Sequence, residues 1–253
     1  MNILPDHPRY RSLMTRERLT ELVEKGLVSK MGLISHGRGE AFDYLSGERT
    51  TEAALKAEKA AAAYLLKAKN PVVCVNGNAA ALDPERLIEL AEAVPAKIEV
   101  NIFHRTEERM ELLISYMEEK GAKEVLGRNP DAKIGGISSD RALCTKRGIF
   151  ESDVILVPIE DGDRAKALAG MGKIVISIDL NPLSRTSVAA TVSISDEMSR
   201  ALENMIGFVK EMKGRPDEIE KAISTFSNES NRRETVEEIC SALRAGFEGD
   251  ADG

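Results

Sequence analysis

Cysteine is scarce in this sequence, and its few copies are poorly placed for metal or disulfide chemistry. Cys74, Cys144 and Cys240 are odd in number, lie far apart and form no C-x-x-C pair. A disulfide framework needs paired cysteines and a zinc ribbon needs closely spaced ones, so both classes are disfavoured. This cysteine usage is what we expect of a protein in a reducing cytoplasm.

A long apolar run and an excess of basic residues are also missing. The longest uncharged run, residues 70–82, has 13 residues and is too short to cross a bilayer. Charged residues among the first dozen leave no apolar signal region. The 42 acidic residues outnumber the 35 basic ones, whereas nucleic acids and anionic membranes attract basic surfaces. We therefore expect a soluble, cytoplasmic protein that binds neither nucleic acid nor membrane.

The common nucleotide-binding and catalytic motifs are absent as well. No G-x-x-x-x-G-K-[ST] phosphate loop occurs, and Gly37-Arg38-Gly39 lacks the third glycine of a dinucleotide fingerprint. The chain has neither a G-x-S-x-G elbow nor an H-E-x-x-H zinc motif. The missing fingerprint argues against a dehydrogenase or a sugar-nucleotide enzyme, and a bound nucleotide would need a different arrangement.

The sequence does contain an alternation of predicted helices and strands. Apolar periodicity and helix-forming composition predict helices over 52–69, 87–94, 110–117, 202–209 and 236–243. Short β-branched runs predict strands at 72–75, 98–103, 154–157, 174–178 and 192–194. This alternation indicates an α/β fold with a Rossmann-like parallel sheet flanked by helices.

We expect one domain over residues 1–253, built of three parts. Residues 1–50 are predicted to form an N-terminal helix, near 16–25, and a Gly-rich loop segment. Residues 51–196 are predicted to form the Rossmann-like core, and residues 197–253 the C-terminal helices and a disordered tail.

Polar residues follow each of the first four predicted strands. Ligands of open α/β sheets bind outside the carboxyl ends of the strands, so these segments are candidates for one site. They are Asn76-Gly77-Asn78, His104-Arg105, Glu160-Asp161-Gly162-Asp163-Arg164 and the segment from Asp179 to Thr186. Asn-Gly-Asn and Asp-Gly-Asp also form turns, which explains either one alone. Four successive strand ends of this character favour the rim of an active site.

The N-terminal segment Ser35-His36-Gly37-Arg38-Gly39-Glu40 adds further candidates. Two glycines allow the backbone to approach a ligand, while the Arg38 guanidinium offers a fixed fork for phosphate or carboxylate. The chain has only three histidines, and none of them lies in a predicted helix core.

Six segments together resemble the archaeal 4-phosphopantoate–β-alanine ligases, also called phosphopantothenate synthetases, of coenzyme A biosynthesis. They read HPRY through RE at 7–17, GLISHGRGEAFDYL at 32–45, VNGNAAAL at 75–82, EVNIFHR at 99–105, VPIEDGDR at 157–164 and DLNPLSRT at 179–186. The segments stand in the family's order with compatible spacing over about residues 1–212.

The resemblance implies an ATP-dependent amide ligase and a homodimer with a Rossmann-like core. Such an enzyme joins (R)-4-phosphopantoate to β-alanine and forms 4'-phosphopantothenate, AMP and diphosphate, through an acyl-adenylate. The implied ATP-binding residues are Arg16, Arg38, Asp179, Leu180, Asn181, Arg185, Thr186, Asp196 and Glu197. Glu197 stands where the family is expected to have Asn, which weakens the expectation of a side-chain hydrogen bond to the base.

This chemistry assigns hypothetical roles to the remaining candidates. Arg16, Arg38 and Arg185 would stabilise phosphoryl charge, and His36, Glu40 or His104 would accept the proton of the β-alanine amine. Asp161 or Asp163 would hold Mg²⁺, although a simple turn explains both carboxylates as well. The residues expected to bind 4-phosphopantoate or β-alanine are Asn76, Gly77, Asn78, Arg105, Asp161, Asp163 and Arg164. A non-catalytic nucleotide sensor with an acidic C-terminal output surface stays as an alternative.

Overall fold

The computed structural model describes Leu4, Asp6, His7 and residues 9–249, and its centre is a six-stranded parallel sheet. The sheet strands are β1 (Pro71–Val75), β2 (Lys97–Val100), β3 (Val125–Leu126), β6 (Val154–Pro158), β7 (Ile174–Ile178) and β8 (Val192–Ile194). They lie in the order β3-β2-β1-β6-β7-β8, with Val73 opposite Ile98 on one side and Leu156 on the other. Strands β4 (Ala132–Lys133) and β5 (Leu143–Cys144) form a separate antiparallel pair.

Helices surround the sheet. They are α1 (Tyr10–Glu24), α2 (Lys30–Leu45), α3 (Glu52–Lys67), α4 (Gly77–Leu82), α5 (Pro84–Ala93), α6 (Glu107–Glu119), α7 (Gly162–Gly170), α8 (Arg185–Ala189), α9 (Met198–Met212), α10 (Pro216–Ser224) and α11 (Asn228–Gly249). A 3-10 turn at Asp140–Ala142 and a π-helical turn at Lys146–Phe150 flank β5. Within the described part of the chain, none of the helices combines the length and apolarity of a membrane span.

Both faces of the sheet are buried, which explains the continuously apolar strands. Val73 and Val75 of β1 pack with residues of α3, α5, α6 and α9, whereas Val72 and Cys74 face α7 and the loops around β5. Successive residues of a strand point to opposite faces, so a strand covered on both sides carries no polar alternation. The α/β, Rossmann-like fold predicted from the sequence is confirmed.

The prediction that a Gly-rich loop follows the first helix within residues 1–50 is wrong over most of that segment, because α2 occupies Lys30–Leu45 and His36 is helical. The Ser29 side chain caps α2 by accepting a hydrogen bond from the Gly32 amide at 3.1 Å. Glycine lowers helix propensity, but Gly32 is required by packing: a Cβ there would lie 2.2 Å from Asn78 Oδ1. Tertiary contact with α4 therefore outweighs local propensity.

Other element boundaries differ less. The strand predicted at 98–103 ends at Val100, where the chain leaves the sheet, and strands β3 to β5 were not predicted from the sequence. Two residues are too few to show a periodicity. The C-terminal helices α10 and α11 agree with the prediction, while residues 250–253 of the predicted tail lie outside the described residues.

Candidate active site

The strand order reverses between β1 and β6, and a cavity of about 770 Å³ opens at this point. Counted along the chain, the six parallel strands stand in the order 3-2-1-4-5-6 of the Rossmann fold, whose ligands bind where the order reverses. The cavity walls come from α2 and from the segments that follow β1, β2, β6, β7 and β8.

Most of the residues predicted from the sequence meet at this cavity. Those that line it are His36, Arg38, Glu40, Asn76, Gly77, Asn78, His104, Asp161, Asp179, Leu180, Asn181, Arg185, Thr186, Asp196 and Glu197. Arg16, Arg105, Asp163 and Arg164 are not part of its lining.

Both asparagines after β1 tie the cavity wall together. Asn76 caps α4 through its Oδ1, which accepts from the Ala79 amide at 3.0 Å, and donates from Nδ2 to Pro158 O at 2.9 Å. Asn78 donates from Nδ2 to Gly32 O at 2.9 Å. These bonds join β1 to β6 and α4 to α2, so both side chains have structural roles, and their contact with substrate stays a prediction.

A buried ion cluster forms part of the cavity wall at the end of β6. The Glu160 carboxylate, which is 1% exposed, pairs with Arg141 and Arg164. Asp161 caps α7 by accepting from the Arg164 amide at 2.9 Å, and its Oδ2 lies 3.5 Å from Arg141 Nε. Arg164 is fully buried and supports the β6 end from beneath.

Arg141 was not among the residues predicted from the sequence, yet it lines the cavity. Burial, together with repulsion from Arg164, lowers the pKa of Arg141 to about 10, so it remains positive at neutral pH. Arg141 lies in the Asp140–Ala142 turn, which does not follow a predicted strand. No sequence pattern therefore indicates that it belongs to the site.

The segment after β7 is folded around Asp179. The Asp179 carboxylate accepts from the Asn181 amide at 3.0 Å and from Ser184 Oγ, and burial raises its pKa. Arg185 begins α8 and pairs with Asp163 at the rim, where both side chains are largely exposed. Gly162 approaches Arg185 so closely that a Cβ there would lie 2.4 Å from Arg185 Cβ. The β6 and β7 ends are thus held in contact.

The α2 wall carries a linked group of proton-exchanging side chains. Glu40 accepts from Ser12 Oγ at 2.7 Å and pairs with Arg16 at 3.1 Å. Burial acts to raise the pKa of Glu40, but the hydrogen bonds from Ser12 and Arg16 outweigh it and hold the pKa below its usual value. Arg16 therefore does not line the cavity itself but contacts Glu40, which does.

His36 lies 4.0 Å from Glu40, measured from Nε2 to Oε2, and this Nε2 is buried without a hydrogen-bond partner. Burial lowers the pKa of His36, with Glu40 opposing the shift, so the ring is neutral at pH 7. A neutral, partly buried imidazole can accept a proton. His104, by contrast, is exposed and stacks edge-on against Phe103 at 5.0 Å.

Asp196 and Glu197 close the cavity at the end of β8. Asp196 accepts from Arg200 Nη2 at 2.6 Å and from Thr50 Oγ1 at 2.6 Å. The Glu197 carboxylate caps α9, accepting from the amides of Ser199 at 3.0 Å and Arg200 at 3.1 Å. Glu197 thus has a local structural role at the start of α9, and its contact with ATP stays a prediction.

Of two arginines near the β2 end, the one predicted to bind substrate lies outside the cavity lining and the other lies in it. Arg105 donates from Nη2 to Gly127 O at 2.6 Å and does not line the cavity. Arg109, which sequence reasoning missed, does line it from the first turn of α6. In the sequence Arg109 belongs to the polar start of a helix, where an arginine is unremarkable.

The phosphopantothenate/pantothenate synthetase family matches residues 53–242 of this chain. The chain belongs to this family. A 4-phosphopantoate–β-alanine ligase of Methanosarcina mazei is 54% identical over 240 residues, which cover 94% of each chain. Ligases of the same description from Thermococcus kodakarensis and Methanospirillum hungatei are 48% and 53% identical, over 90% and 81% of this chain and 88% and 84% of their own.

Membership of the phosphopantothenate/pantothenate synthetase family confirms the resemblance predicted from the motifs and extends it. The resemblance covered about residues 1–212, whereas the family match continues to residue 242, through α10 and into α11. The region matched by the family model starts after α2. The alignment with the Methanosarcina mazei ligase covers 94% of this chain, so the uncovered part is too short to contain α2.

Proposed function

We propose that this chain is a 4-phosphopantoate–β-alanine ligase that uses ATP and releases AMP and diphosphate. The observation that carries the proposal is the meeting of the family's strand-end motifs at one cavity, where the strand order reverses. The names of the relatives give the substrates, and the residues of the cavity provide the chemistry that joining them requires.

The first step activates the acid. A carboxylate oxygen of 4-phosphopantoate attacks the α-phosphorus of ATP, and the bond to the β-phosphate oxygen breaks to release diphosphate. Negative charge spreads over the phosphoryl oxygens in the transition state, so preorganised cations accelerate the step. Arg38 of α2 and Arg185 of α8 both line the cavity and are the cations that we assign to this charge.

Magnesium would enter with the triphosphate and neutralise part of its charge. Among the described residues, no three His, Cys, Asp or Glu side chains form a metal site. A nucleotide-bound Mg²⁺ needs only one or two protein carboxylates, and Asp161 and Asp163 fit that smaller requirement beside the cavity mouth. Both carboxylates already contact arginines, so Asp161 would be shared between Arg141 and the ion, and Asp163 between Arg185 and the ion.

The second step forms the amide. The β-alanine nitrogen attacks the acyl carbon, the bond to the AMP oxygen breaks, and the amine loses its proton. An amine of this kind has a pKa near the lysine value of about 10 and arrives as ammonium, so it needs an acceptor. Of the three candidates, His36 is neutral and its Nε2 has no partner, whereas Glu40 is bonded to Arg16 and Ser12. We therefore assign His36 as the base, with Glu40 stabilising the imidazolium.

The proposal also covers the number of domains, the oligomeric state and the location of the protein. The chain would form one domain and a homodimer, and it would work in the cytoplasm. The six-stranded sheet that runs through residues 71–194 supports the single domain. Sedimentation equilibrium of the purified protein would decide the oligomeric state, with a mass near twice 27.6 kDa expected.

The assay is direct. Purified protein is incubated with ATP, Mg²⁺, 4-phosphopantoate and β-alanine, and AMP and 4'-phosphopantothenate are quantified. We expect both products in equal amounts and none when either acid or amine is omitted. Formation of ADP would contradict the adenylate route, and ATP binding without any product would favour the nucleotide sensor instead.

A further inference from the structure

Two arginines of the cavity lining, Arg38 and Arg109, form no ion pair among the described residues, and Arg109 is the half-buried one. Arg109 donates from Nη1 to His104 O at 2.6 Å and from Nε to Gly26 O at 3.4 Å, and both acceptors are neutral carbonyls. Among the residues that the structure describes, no carboxylate forms an ion pair with it. Arg16, Arg141 and Arg185 differ from it in this respect, because each pairs with a carboxylate.

This lack of a partner matters because Arg109 is half-buried. Its two hydrogen bonds use two of the five N–H donors of the guanidinium. Burial lowers the pKa of Arg109, yet an arginine stays charged at neutral pH. A desolvated charge without a counterion is costly, so a cavity built around one is suited to an anionic ligand. Arg38, the other of these two arginines, is exposed to solvent.

The position of Arg109 indicates which anion it meets. Helix α6 follows β2, while seven of the nine residues assigned to ATP follow β7 and β8, and the other two, Arg16 and Arg38, lie in α1 and α2. In the sheet, β2 and β7 are three strand spacings apart, about 14 Å. The carboxylate of 4-phosphopantoate must reach the α-phosphorus of ATP, so the other end of that substrate points away from the nucleotide. The other end carries a phosphate.

We propose that Arg109 binds the phosphate of 4-phosphopantoate and thereby selects the phosphorylated acid. This inference rests on the proposed function and assigns the specificity of its acid subsite. A guanidinium can bind two phosphate oxygens at once, which gives both charge neutralisation and orientation. Arg105, the arginine predicted from the sequence for this region, is occupied with carbonyls outside the cavity.

The test measures KM for each substrate in Arg109→Met, Arg109→Gln and Arg109→Lys. Removing one partner of a close charge pair costs enough to raise the KM for 4-phosphopantoate at least about thirtyfold in the Met and Gln variants. The KM for ATP should stay within about threefold of the wild-type value, because most of its assigned contacts follow β7 and β8. Arg109→Lys should recover part of the loss.

The matched control is Arg128→Met. Arg128 pairs with Glu111 and Glu118 of α6, the helix that carries Arg109, but it does not line the cavity. Its removal should therefore leave both KM values unchanged. An unchanged KM for 4-phosphopantoate in Arg109→Met or Arg109→Gln overturns the assignment, as does an equal rise in the KM for ATP. A wild-type protein that forms no phosphopantothenate overturns the proposed function instead, so the two failures are distinguishable.

Discussion

At the scale of single residues, the site combines side chains that local patterns reveal with others that they do not. Arg38 and Arg185 stand in motifs after or beside predicted elements, and both line the cavity. Arg141 and Arg109 line it too, but one lies in a 3-10 turn and the other in the first turn of a helix. Whether Arg141 and Arg109 line the cavity depends on the tertiary structure, so their spacing along the chain does not predict it.

The cations assigned to the phosphoryl groups are tested by Arg38→Ala and Arg185→Ala. Loss of one transition-state donor lowers turnover by at least about a hundredfold. The measurement is the rate of AMP formation at saturating substrates. Arg49→Ala, at an exposed arginine outside the cavity lining, serves as the control and should retain wild-type turnover. Near-normal turnover in either site variant would remove that arginine from the active site.

The assigned base predicts a specific pH profile. Burial lowers the pKa of His36, so kcat/KM should fall as the pH drops through a value below about 6.5, where the ring becomes protonated. Because the Glu40 charge raises the pKa of His36, Glu40→Gln should move this acid limb to lower pH. His36→Gln should lower kcat and abolish the limb. If the limb persists unchanged in His36→Gln, another group accepts the proton.

At the scale of elements, the long strands and the amphipathic helices follow from the sequence, whereas α2 does not. Strands β1 and β6 are continuously apolar because both faces are covered, and α9 has a regular apolar face. Helix α2 contains Gly32, Gly37 and Gly39, which local propensity assigns to a loop. Its packing against α4, through the contact of Gly32 with Asn78, decides the outcome.

Two glycines of α2 form a matched pair for testing this account. A Cβ at Gly32 would lie 2.2 Å from the buried Asn78 Oδ1, while one at Gly37 would have no atom within 4 Å. Gly32→Ala should therefore destabilise the protein by about 1–3 kcal/mol through overpacking. Gly37→Ala should stabilise it by about 0.5–1 kcal/mol through helix propensity. Urea unfolding measures both, and equal effects of the two substitutions would refute the packing argument.

At the scale of the whole molecule, the carboxyl of Glu58 is buried between α3 and α9, close to Asp196 at the end of β8. Glu58 of α3 is fully buried and accepts from Asn204 Nδ2 of α9 at 3.0 Å. Burial, with repulsion from Asp196, raises the pKa of Glu58 from 4.5 to about 9. The folded protein therefore keeps a proton that the unfolded chain releases, over the range between these two values.

The sign of the resulting pH dependence follows from linkage. Where the folded state binds more protons than the unfolded state, the free energy of unfolding falls as the pH rises. The wild-type protein should therefore lose stability between about pH 5 and 9, and Glu58→Gln, which mimics the protonated carboxyl, should lose much less. Urea unfolding across this range measures both proteins. Parallel pH profiles would show that Glu58 is ionised in the folded protein.

The acyl-adenylate mechanism requires that an oxygen atom is transferred from the acid to AMP. 4-Phosphopantoate labelled with ¹⁸O in both carboxylate oxygens is converted with ATP and β-alanine, and the products are analysed by mass spectrometry. An acyl-adenylate leaves one labelled oxygen in AMP and the other in the amide carbonyl of 4'-phosphopantothenate. Label in orthophosphate formed together with ADP, or unlabelled AMP, would contradict the account.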